Sequence, residues 1–287
     1  MLIKIRVFSS FGSETGCVEA FIRVNELLSD PEYGKRYCFV TGNDEDYTHA
    51  LILNTAMPDD LRVDKSKVVG LAFEPTPFLG LTPEFIEYAR KRIGVYHIGE
   101  VGNLPSPFKE GFSYMWHLTP LAEKVKVKTR GVSMVISEKL MTDNHKYRHR
   151  LCTEILTRRL PVDIWGRGCD RYSHISSSDS VKGVFEEHEP YIDYMYTICV
   201  ENFCTPHYFS EKIMNPLLCS CTPVYLGAKK IDEYFPNQVI SLCGDLETDI
   251  GIIRDVCDNL VERVKKVNVK RVKRVISVKN IVKGFCV

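Results

Sequence analysis

The most constraining feature of this chain is an alternation of short Val- and Ile-rich runs with segments of helical periodicity. In the first half, the apolar runs lie at 3–8, 37–40, 50–54, 67–73 and 95–99. Helical patterns separate several of them, as at 18–28 and 83–93. Buried parallel strands are near-continuous apolar runs, and a helix usually connects one to the next. This half therefore predicts a Rossmann-like α/β domain.

The same alternation restarts after a looser, proline-containing stretch at 102–128. Strands are predicted at 131–137, 162–166, 194–200, 222–227 and 239–243, and helices at 146–159, 209–219 and 245–266. Pro216 is expected to bend its helix or to end it early. We therefore expect an α/β chain with two Rossmann-like domains, at 1–128 and 129–261, that face each other across a cleft. Ligands of such sheets bind at the carboxyl ends of the strands.

The last segment, 262–287, differs from both domains in its charge. It holds nine lysines and arginines and one acidic residue, although the whole chain has a formal net charge of only +1. Valines recur at 261, 264, 267, 272, 275 and 278, which predicts one apolar face of a helix. Two interpretations stay open for this basic, amphipathic segment. Its valine face packs on the body of the protein, or the segment binds an anionic membrane surface or nucleic acid.

Composition excludes several classes of protein. Apolar residues make up 44% of the 287 residues and charged residues 26%, which is typical of a soluble globular chain. There is no run of about 18 apolar residues, so we expect no membrane-spanning helix. We also expect no signal peptide, reduced and mostly buried cysteines, and a cytosolic location. The near-neutral charge, with no aromatic residue in the tail before Phe285, argues against a nucleic-acid partner.

Two short patterns suggest metal chemistry, and other features of the sequence argue against each of them. The chain has no P-loop. His145 and His149 have the spacing of a zinc-binding helix, but Lys146 and Arg148 are cations beside them. The acidic triplet at 44–46 matches the D-x-D of some sugar transferases, but it lies in a run of turn residues typical of a solvated loop. We therefore expect neither a bound metal nor a resident cofactor.

The segment 196–228 holds the most informative pattern. A predicted strand ends at Glu201-Asn202, and Ser210 is placed to be the N-cap of the helix that follows. Backbone N–H groups and the helix dipole favour anions there, and Lys212 adds a positive charge. Glu211 would accept hydrogen bonds from sugar hydroxyls. A helix that is simply capped, with Glu and Lys in its first turn, is the alternative.

This pattern resembles the donor-site motif of glycosyltransferase family 10, the α-1,3-fucosyltransferases. The resemblance comprises Glu201-Asn202, a short loop, Tyr208-Phe-Ser-Glu211-Lys212-Ile, and Pro-Val-Tyr-Leu-Gly at 223–227. The stretch from 133 to 167 is similar to a strand, an arginine-led helix and a V-D-x-x-G strand of the family. It places the donor-phosphate arginine on Arg148, with Arg150 as the alternative. Gly-Leu-Ala-Phe-Glu-Pro at 70–75 resembles the segment that carries the proposed general base, which falls on Glu74.

The resemblance implies a GT-B fold and an inverting, metal-independent transfer of L-fucose from GDP-fucose to a hydroxyl of an acceptor glycan. The acceptor would be an oligosaccharide, a glycolipid or a glycoprotein, which implies a role in glycan biosynthesis and protein glycosylation. Glu74 would act as the base, and Arg148 and Lys212 would stabilise the leaving diphosphate. The residues that would bind the donor are Asn202, Tyr208, Glu211, Lys212 and Arg148.

Two alternatives to fucose transfer stay open. The same fold and mechanism would serve a different nucleotide-sugar donor, since the motif reports phosphate binding better than it reports fucose. A non-catalytic glycan-binding protein is the other. The chain looks more like the short, soluble bacterial or viral members of the family. Basic, amphipathic C-terminal segments also occur in bacterial members, which suggests peripheral contact of 262–287 with a membrane.

Overall fold

The computed structural model describes residues 2–42, 46–113, 120–172, 174–175 and 179–285. The chain divides into two compact units. Unit 1 comprises Met1–Pro120, Thr205–Tyr208 and Lys273–Val287, and unit 2 comprises Leu121–Cys204 and Phe209–Val272. The first border thus lies at 120/121, against an expected 128/129. The chain also returns to unit 1 twice, which an assignment of continuous ranges does not anticipate.

Unit 1 is built on a parallel sheet. Its strands are β1 (Ile3–Ser9), β2 (Tyr37–Val40), β3 (His49–Leu53), β4 (Val68–Leu71), β5 (Val95–Ile98) and β6 (Phe108–Glu110). They lie in the order β2-β1-β3-β4-β5-β6, and each neighbouring pair is parallel. The helices are α1 (Glu14–Leu28), α2 (Thr76–Leu79) and α3 (Pro83–Arg92). The apolar positions of β3 to β5 form its core with α3, in agreement with the predicted strands.

Unit 2 repeats this architecture. Its strands are β7 (Arg130–Val135), β8 (Val162–Trp165), β9 (Val181–Gly183), β10 (Tyr194–Val200), β11 (Thr222–Leu226) and β12 (Ile240–Ser241). The helices are α4 (Asp143–Thr157), α5 (Glu189–Ile192), α6 (Glu211–Leu218), α7 (Ile231–Tyr234), α8 (Leu246–Asp258) and α9 (Leu260–Arg263). The order β12-β11-β10-β7-β8-β9 is parallel throughout, so the chain first builds outward from β7 on one side and then on the other.

This order determines where unit 2 is expected to bind a ligand. The connections after β7 and after β10 leave neighbouring strands and run to opposite sides of the sheet, which is the topological switch point of an open α/β sheet. Residues that follow Val135 and Val200 therefore lie together at the carboxyl edge of the sheet.

The structure of α6 corrects one of the two expectations for Pro216, namely that it ends its helix early. Pro216 lies inside α6, which continues two residues beyond it to Leu218, so this proline does not terminate the helix. The missing N–H of Pro216 removes a single hydrogen bond, and the side chains of Ile213, Met214 and Leu217 are fully buried. Their burial is worth about 1.5–3 kcal/mol each, enough to offset that loss.

The basic tail forms two short helices, α10 (Val269–Ile276) and α11 (Lys279–Lys283). Val272 and Val278 are fully buried, whereas Val261 and Val264 are exposed, so the recurring valines do not share one continuous face. Lys279 also pairs with Glu32 of unit 1. Helices α10 and α11 are therefore packed against the protein. This agrees with the interpretation that the valines of the tail pack on the body of the protein. Among the described helices, none is long and apolar enough to cross a membrane.

A half-buried histidine, His97, leads us to expect that unit 1 loses stability in acid. Burial lowers the pKa of His97, in β5, from 6.5 to about 4, and Lys109 adds to this shift. The folded state thus binds the proton more weakly than the unfolded chain, so this contribution to stability is complete above pH 6.5 and is lost as the pH falls towards 4. We expect the free energy of unfolding to fall by up to about 3 kcal/mol over that range, which thermal melting at several pH values measures. His97→Gln should show a weaker pH dependence, and an unchanged melting profile from pH 7 to 4.5 would contradict this assignment.

Candidate active site

The predicted donor residues of unit 2 lie at its topological switch point. Glu201 and Asn202 directly follow β10, and α4, which follows β7, brings Arg148 to the same edge. Arg148 donates to the carbonyl oxygen of Val200, the last residue of β10, over 2.5 Å. The structure therefore brings together groups that are more than 50 residues apart in sequence.

A fully buried carboxylate organises the start of α6. Glu201 accepts hydrogen bonds from the Ser210 backbone N–H at 2.8 Å and from the Ser210 hydroxyl at 2.7 Å. With its proton directed to Glu201, the hydroxyl oxygen of Ser210 accepts from the Lys212 backbone N–H and from its ammonium group, at 3.4 and 3.0 Å. Ser210 is thus the N-cap that the sequence predicts. Glu201 fixes that cap, and the cap fixes Lys212.

Lys212 is the more accessible member of a charged cluster. Its Nζ atom lies 3.1 Å from Glu211 Oε1 and 3.6 Å from Glu201 Oε2. The Lys212 side chain is 24% exposed, whereas that of Glu201 is 0% exposed. Burial acts to lower the pKa of Lys212, but Glu211 and Glu201 outweigh it and the pKa is raised. Lys212 is therefore a cation held in place by two carboxylates, Glu201 and Glu211.

Burial also shifts the pKa values of two neighbours of Lys212. It raises the pKa of Glu201, against the opposing effect of Lys212. It lowers the pKa of Arg148, while Glu201 and Glu211 act to raise it. An anionic ligand at this edge would pair with cations already balanced by carboxylates in the protein. Its own negative charge would then favour the ionised forms of Arg148 and Lys212 further.

The two candidate arginines of α4 have different surroundings. Arg148 is buried, and its Nη1 lies 3.5 Å from Ser137 Oγ in the segment that follows β7. Arg150 is exposed and contacts the ring of Tyr147. Residues two apart on a helix point in widely separated directions. Only Arg148 is thus brought to the cluster of Glu201, Glu211 and Lys212.

The remaining predicted donor residues fall in both units. Asn202 is half-buried and hydrogen-bonds to His145 through its side chain, at 2.9 Å. Tyr208 is buried, and it belongs to Thr205–Tyr208, which counts with unit 1. There the His207 backbone N–H donates to the carbonyl oxygen of Gly99 at 3.0 Å, just after β5. The structure therefore groups Asn202, Glu211, Lys212 and Arg148 in unit 2 and places Tyr208 in the other unit.

Glu74 follows β4 in unit 1 and is half-buried. The segment before it is held by Asn54, whose Oδ1 accepts the Phe73 backbone N–H at 2.8 Å. Pro75, the N-cap of α2, follows directly. The backbone on both sides of Glu74 is thereby fixed at the carboxyl edge of the sheet of unit 1, where a functional carboxylate is expected.

Sequence reasoning missed two residues of this site, Glu201 as an organiser and His145 as a partner of Asn202. An acidic residue directly after a buried strand was a usable signal for Glu201. The structure also shows why residue 227 is a glycine: a Cβ there would overlap the Tyr225 hydroxyl and lie 2.5 Å from Glu201 Cγ. For His145, its position three residues after Thr142 indicates a capping box at the start of α4, but no sequence signal indicates its contact with Asn202.

The described residues contain no group of three or more His, Cys, Asp or Glu side chains that could hold a metal ion. His145 contacts Asn202, whereas His149 contacts the Tyr172 hydroxyl at 2.6 Å. Of the acidic triplet, Asp44 and Glu45 lie outside the described residues.

Comparison with known proteins bears on this site directly. Residues 125–242 match the family described as glycosyltransferase family 10 (fucosyltransferase), C-terminal domain. This range contains β7 to β12 and the whole cluster around Lys212. The predicted resemblance to family 10 is confirmed. The match also agrees with the prediction that the chain contains a glycosyltransferase domain.

Two curated relatives bear fucosyltransferase names. A protein of Acanthamoeba polyphaga mimivirus is 27% identical over 120 residues, which cover 39% of this chain and 20% of the relative. The α-(1,3)-fucosyltransferase B of Drosophila melanogaster is 29% identical over 88 residues, which cover 29% of this chain and 20% of the relative. Each match thus spans about a fifth of the relative's length.

Solved structures extend the likeness to the fold of the whole chain. A crystal structure of an α1,3-fucosyltransferase with GDP has a TM-score of 0.54 at 16% identity, over 99% of this chain and 89% of that one. HepE of Anabaena with UDP and glucose gives 0.58 at 10% identity, over 99% of each chain. An α-glucosyltransferase in complex with UDP and a 13-mer DNA gives 0.60 at 9% identity, over 100% of each. The predicted α/β fold class, a GT-B type with two Rossmann-like domains, is confirmed.

Proposed function

We propose that this chain is an inverting glycosyltransferase that transfers L-fucose from GDP-fucose to a hydroxyl of an acceptor glycan. The observation that carries the proposal is the cluster of Lys212, Arg148, Glu211 and Glu201. It lies at the switch point of unit 2, inside the range that matches family 10. The mimivirus and Drosophila relatives and the GDP-bound structure support fucose and GDP as the components of the donor.

The cluster suits the chemistry of a diphosphate leaving group. As the glycosidic bond to phosphate breaks, negative charge grows on the diphosphate oxygens. Lys212 and Arg148 supply fixed positive charge there, and pre-organised charge of this kind is usually the largest single term in catalysis. In this proposal the two side chains take the part that a divalent cation has in other sugar transferases, so transfer would be metal-independent.

Glu211 and Asn202 are the proposed donor-orienting groups of unit 2. The Glu211 carboxylate accepts hydrogen bonds, which suits hydroxyls of the ribose or of the sugar. The Asn202 amide has both donor and acceptor atoms. Tyr208, which counts with unit 1, is proposed to complete the binding of the donor.

Glu74 is the proposed general base. Inversion requires that the acceptor hydroxyl attacks the anomeric carbon from the face opposite to the diphosphate. A carboxylate on that face would remove the hydroxyl proton as the new bond forms, with an effect of about 10²–10⁴ on the rate. Support comes from the position of Glu74 after β4, at the carboxyl edge of the sheet of unit 1.

A calorimetric titration with GDP, UDP, GDP-fucose and GDP-mannose, with EDTA present throughout, tests the donor. We expect GDP and GDP-fucose to bind without metal and GDP-fucose to be consumed when a suitable glycan is added. Preference for UDP would retain a glycosyltransferase but exclude fucose as the sugar. This outcome needs a test because similar folds hold UDP in the solved structures. Failure to bind any of the four would overturn the enzyme proposal in favour of a glycan-binding protein.

We also propose a cytosolic location and a contact of the basic tail, residues 262–287, with a membrane. Because Val272, Ile276 and Val278 are buried, such contact would rest on exposed cations such as Lys270 and Arg274. Cosedimentation with anionic vesicles, and its loss when these two residues are changed to glutamine, tests the contact. Binding that survives this change would assign the contact to another surface.

A further inference from the structure

The first turn of α4 is joined to the end of β10 by a histidine. Thr142 Oγ1 accepts the His145 backbone N–H at 3.0 Å, and His145 Nδ1 accepts the Thr142 backbone N–H at 3.2 Å. Together these bonds form a capping box, in which Glu or Gln is the usual residue at the position of His145. The other ring nitrogen, Nε2, lies 2.9 Å from Asn202 Oδ1. A histidine thus does what Glu does in such a box and contacts Asn202 as well.

The geometry determines the tautomer of this ring. A backbone N–H can only donate, so Nδ1 must carry a lone pair. Burial lowers the pKa of His145 to about 4, with a further contribution from Arg148, so the ring is neutral at neutral pH. A neutral imidazole with a bare Nδ1 carries its proton on Nε2. Only an oxygen atom can accept that proton, so the amide oxygen of Asn202 faces the ring.

This assignment leaves the amide nitrogen of Asn202 on the side away from His145. Within the described part of the chain, Nδ2 of Asn202 makes no hydrogen bond to another residue. Two N–H donors are thus held on a half-buried side chain, at the edge where Arg148 and Lys212 lie. Asn144, which precedes His145, donates from its side chain to the carbonyl oxygen of Glu201 at 3.0 Å. This bond holds the backbone directly before Asn202.

We propose that His145 is a positioning residue that fixes the Asn202 amide so that its N–H groups donate to an oxygen of the nucleotide-sugar diphosphate. This inference rests on the proposed function, because it names the orientation of one donor-binding group. His145 itself does not touch the nucleotide. Without the ring, the Asn202 amide is free to rotate, and its oxygen would face the phosphates in part of the population.

The chain offers a conservative replacement that separates the two roles of His145. In His145→Gln, the amide oxygen can accept the Thr142 N–H, as in an ordinary capping box, and the amide nitrogen can donate to Asn202 Oδ1. His145→Ala removes both interactions. Thr142→Ala is the matched control, since it removes the hydroxyl of the same cap and leaves the ring in place.

The test measures GDP affinity by calorimetry for these variants, for Asn202→Ala and for the His145→Ala/Asn202→Ala pair. We expect His145→Ala to weaken binding about 10-fold to 30-fold, the scale of one hydrogen bond to a charged group. His145→Gln and Thr142→Ala should bind within about threefold of the native chain. In the Asn202→Ala background, His145→Ala should have almost no further effect, because a residue that acts through Asn202 adds nothing once Asn202 is absent.

Nitrogen chemical shifts of the His145 ring in the unliganded protein provide a second measurement, which is independent of activity. The inference requires a neutral ring with its proton on Nε2 at pH 7. The opposite tautomer would overturn it, as would an equal loss of affinity from His145→Ala with and without Asn202. A native chain that binds none of the nucleotides would overturn the proposed function and this inference together. Nucleotide binding that is unaffected by His145→Ala would overturn the inference alone.

Discussion

Replacing Lys212 with methionine is expected to weaken GDP binding about 10-fold to 100-fold and to slow sugar transfer about 10²–10³-fold. Methionine has a similar length and keeps the packing of the stem, but it removes the charge that would face the diphosphate. The larger effect falls on the rate, because negative charge on the leaving group grows as the bond breaks. Calorimetry for binding and single-turnover kinetics for transfer measure the two effects separately.

The same substitution has a structural consequence that must be separated from the functional one. Glu201 and Glu211 lose their ammonium partner, and Glu201 is fully buried. We therefore expect the Lys212→Met protein to be less stable, so thermal melting is measured alongside binding. Lys212→Arg retains the charge and should recover part of the affinity. Lys146→Met, at an exposed lysine of α4, is the matched control. A folded Lys212→Met protein with native GDP affinity would exclude Lys212 from the donor site.

Gly166→Ala is expected to destabilise unit 2 by about 3 kcal/mol or more. Gly166 follows β8 with a φ of +110°, a conformation that residues with a side chain rarely adopt. An added Cβ would also overlap the backbone carbonyl oxygen of Ile136, just after β7. Neither group can move easily, because the Ile136 N–H donates to the carbonyl oxygen of Trp165 at 2.8 Å. Urea or thermal unfolding measures the loss.

The chain provides a matched control for this prediction. Gly251 lies in α8, where an added Cβ would meet nothing within 4 Å. Gly251→Ala should therefore stabilise the helix by about 0.5–1 kcal/mol. The two glycine-to-alanine changes thus have opposite expected signs in one domain. Equal stabilities of the two variants would show that the contact with Ile136 does not constrain the fold. The effect should also reach the site, since residues 136–142 connect β7 to the helix that carries Arg148.

The sequence predicted the local part of the candidate site well. Ser210 caps α6 as expected, because an N-cap depends on residues within one turn of the helix. The strand that ends before Glu201 was predictable from its apolar run for the same local reason. In contrast, the choice between Arg148 and Arg150 depended on which face of α4 meets β10, and only the structure shows that it is the face of Arg148.

The pairing of His145 with Asn202 was also beyond the sequence. In the sequence His145 stands four residues from His149, which is the spacing of a zinc-binding helix. In the structure the two rings have unrelated partners, Asn202 and Tyr172. Nothing in the spacing of α4 indicates that its first turn lies beside residue 202, because that contact follows from β7 and β10 being neighbours in the sheet.

The sequence by itself determined the two α/β halves, the longer helices and all the described strands except β6 and β9, together with the resemblance to family 10. These depend on periodicity and on short ordered motifs, which are properties of neighbouring residues. Only the tertiary structure decided the strand order, the burial of Glu201 and Arg148, and the packing of Val272 and Val278 of the tail. The physical reason is that burial and charge pairing depend on distances through space, and the strand order sets those distances between residues far apart in the chain.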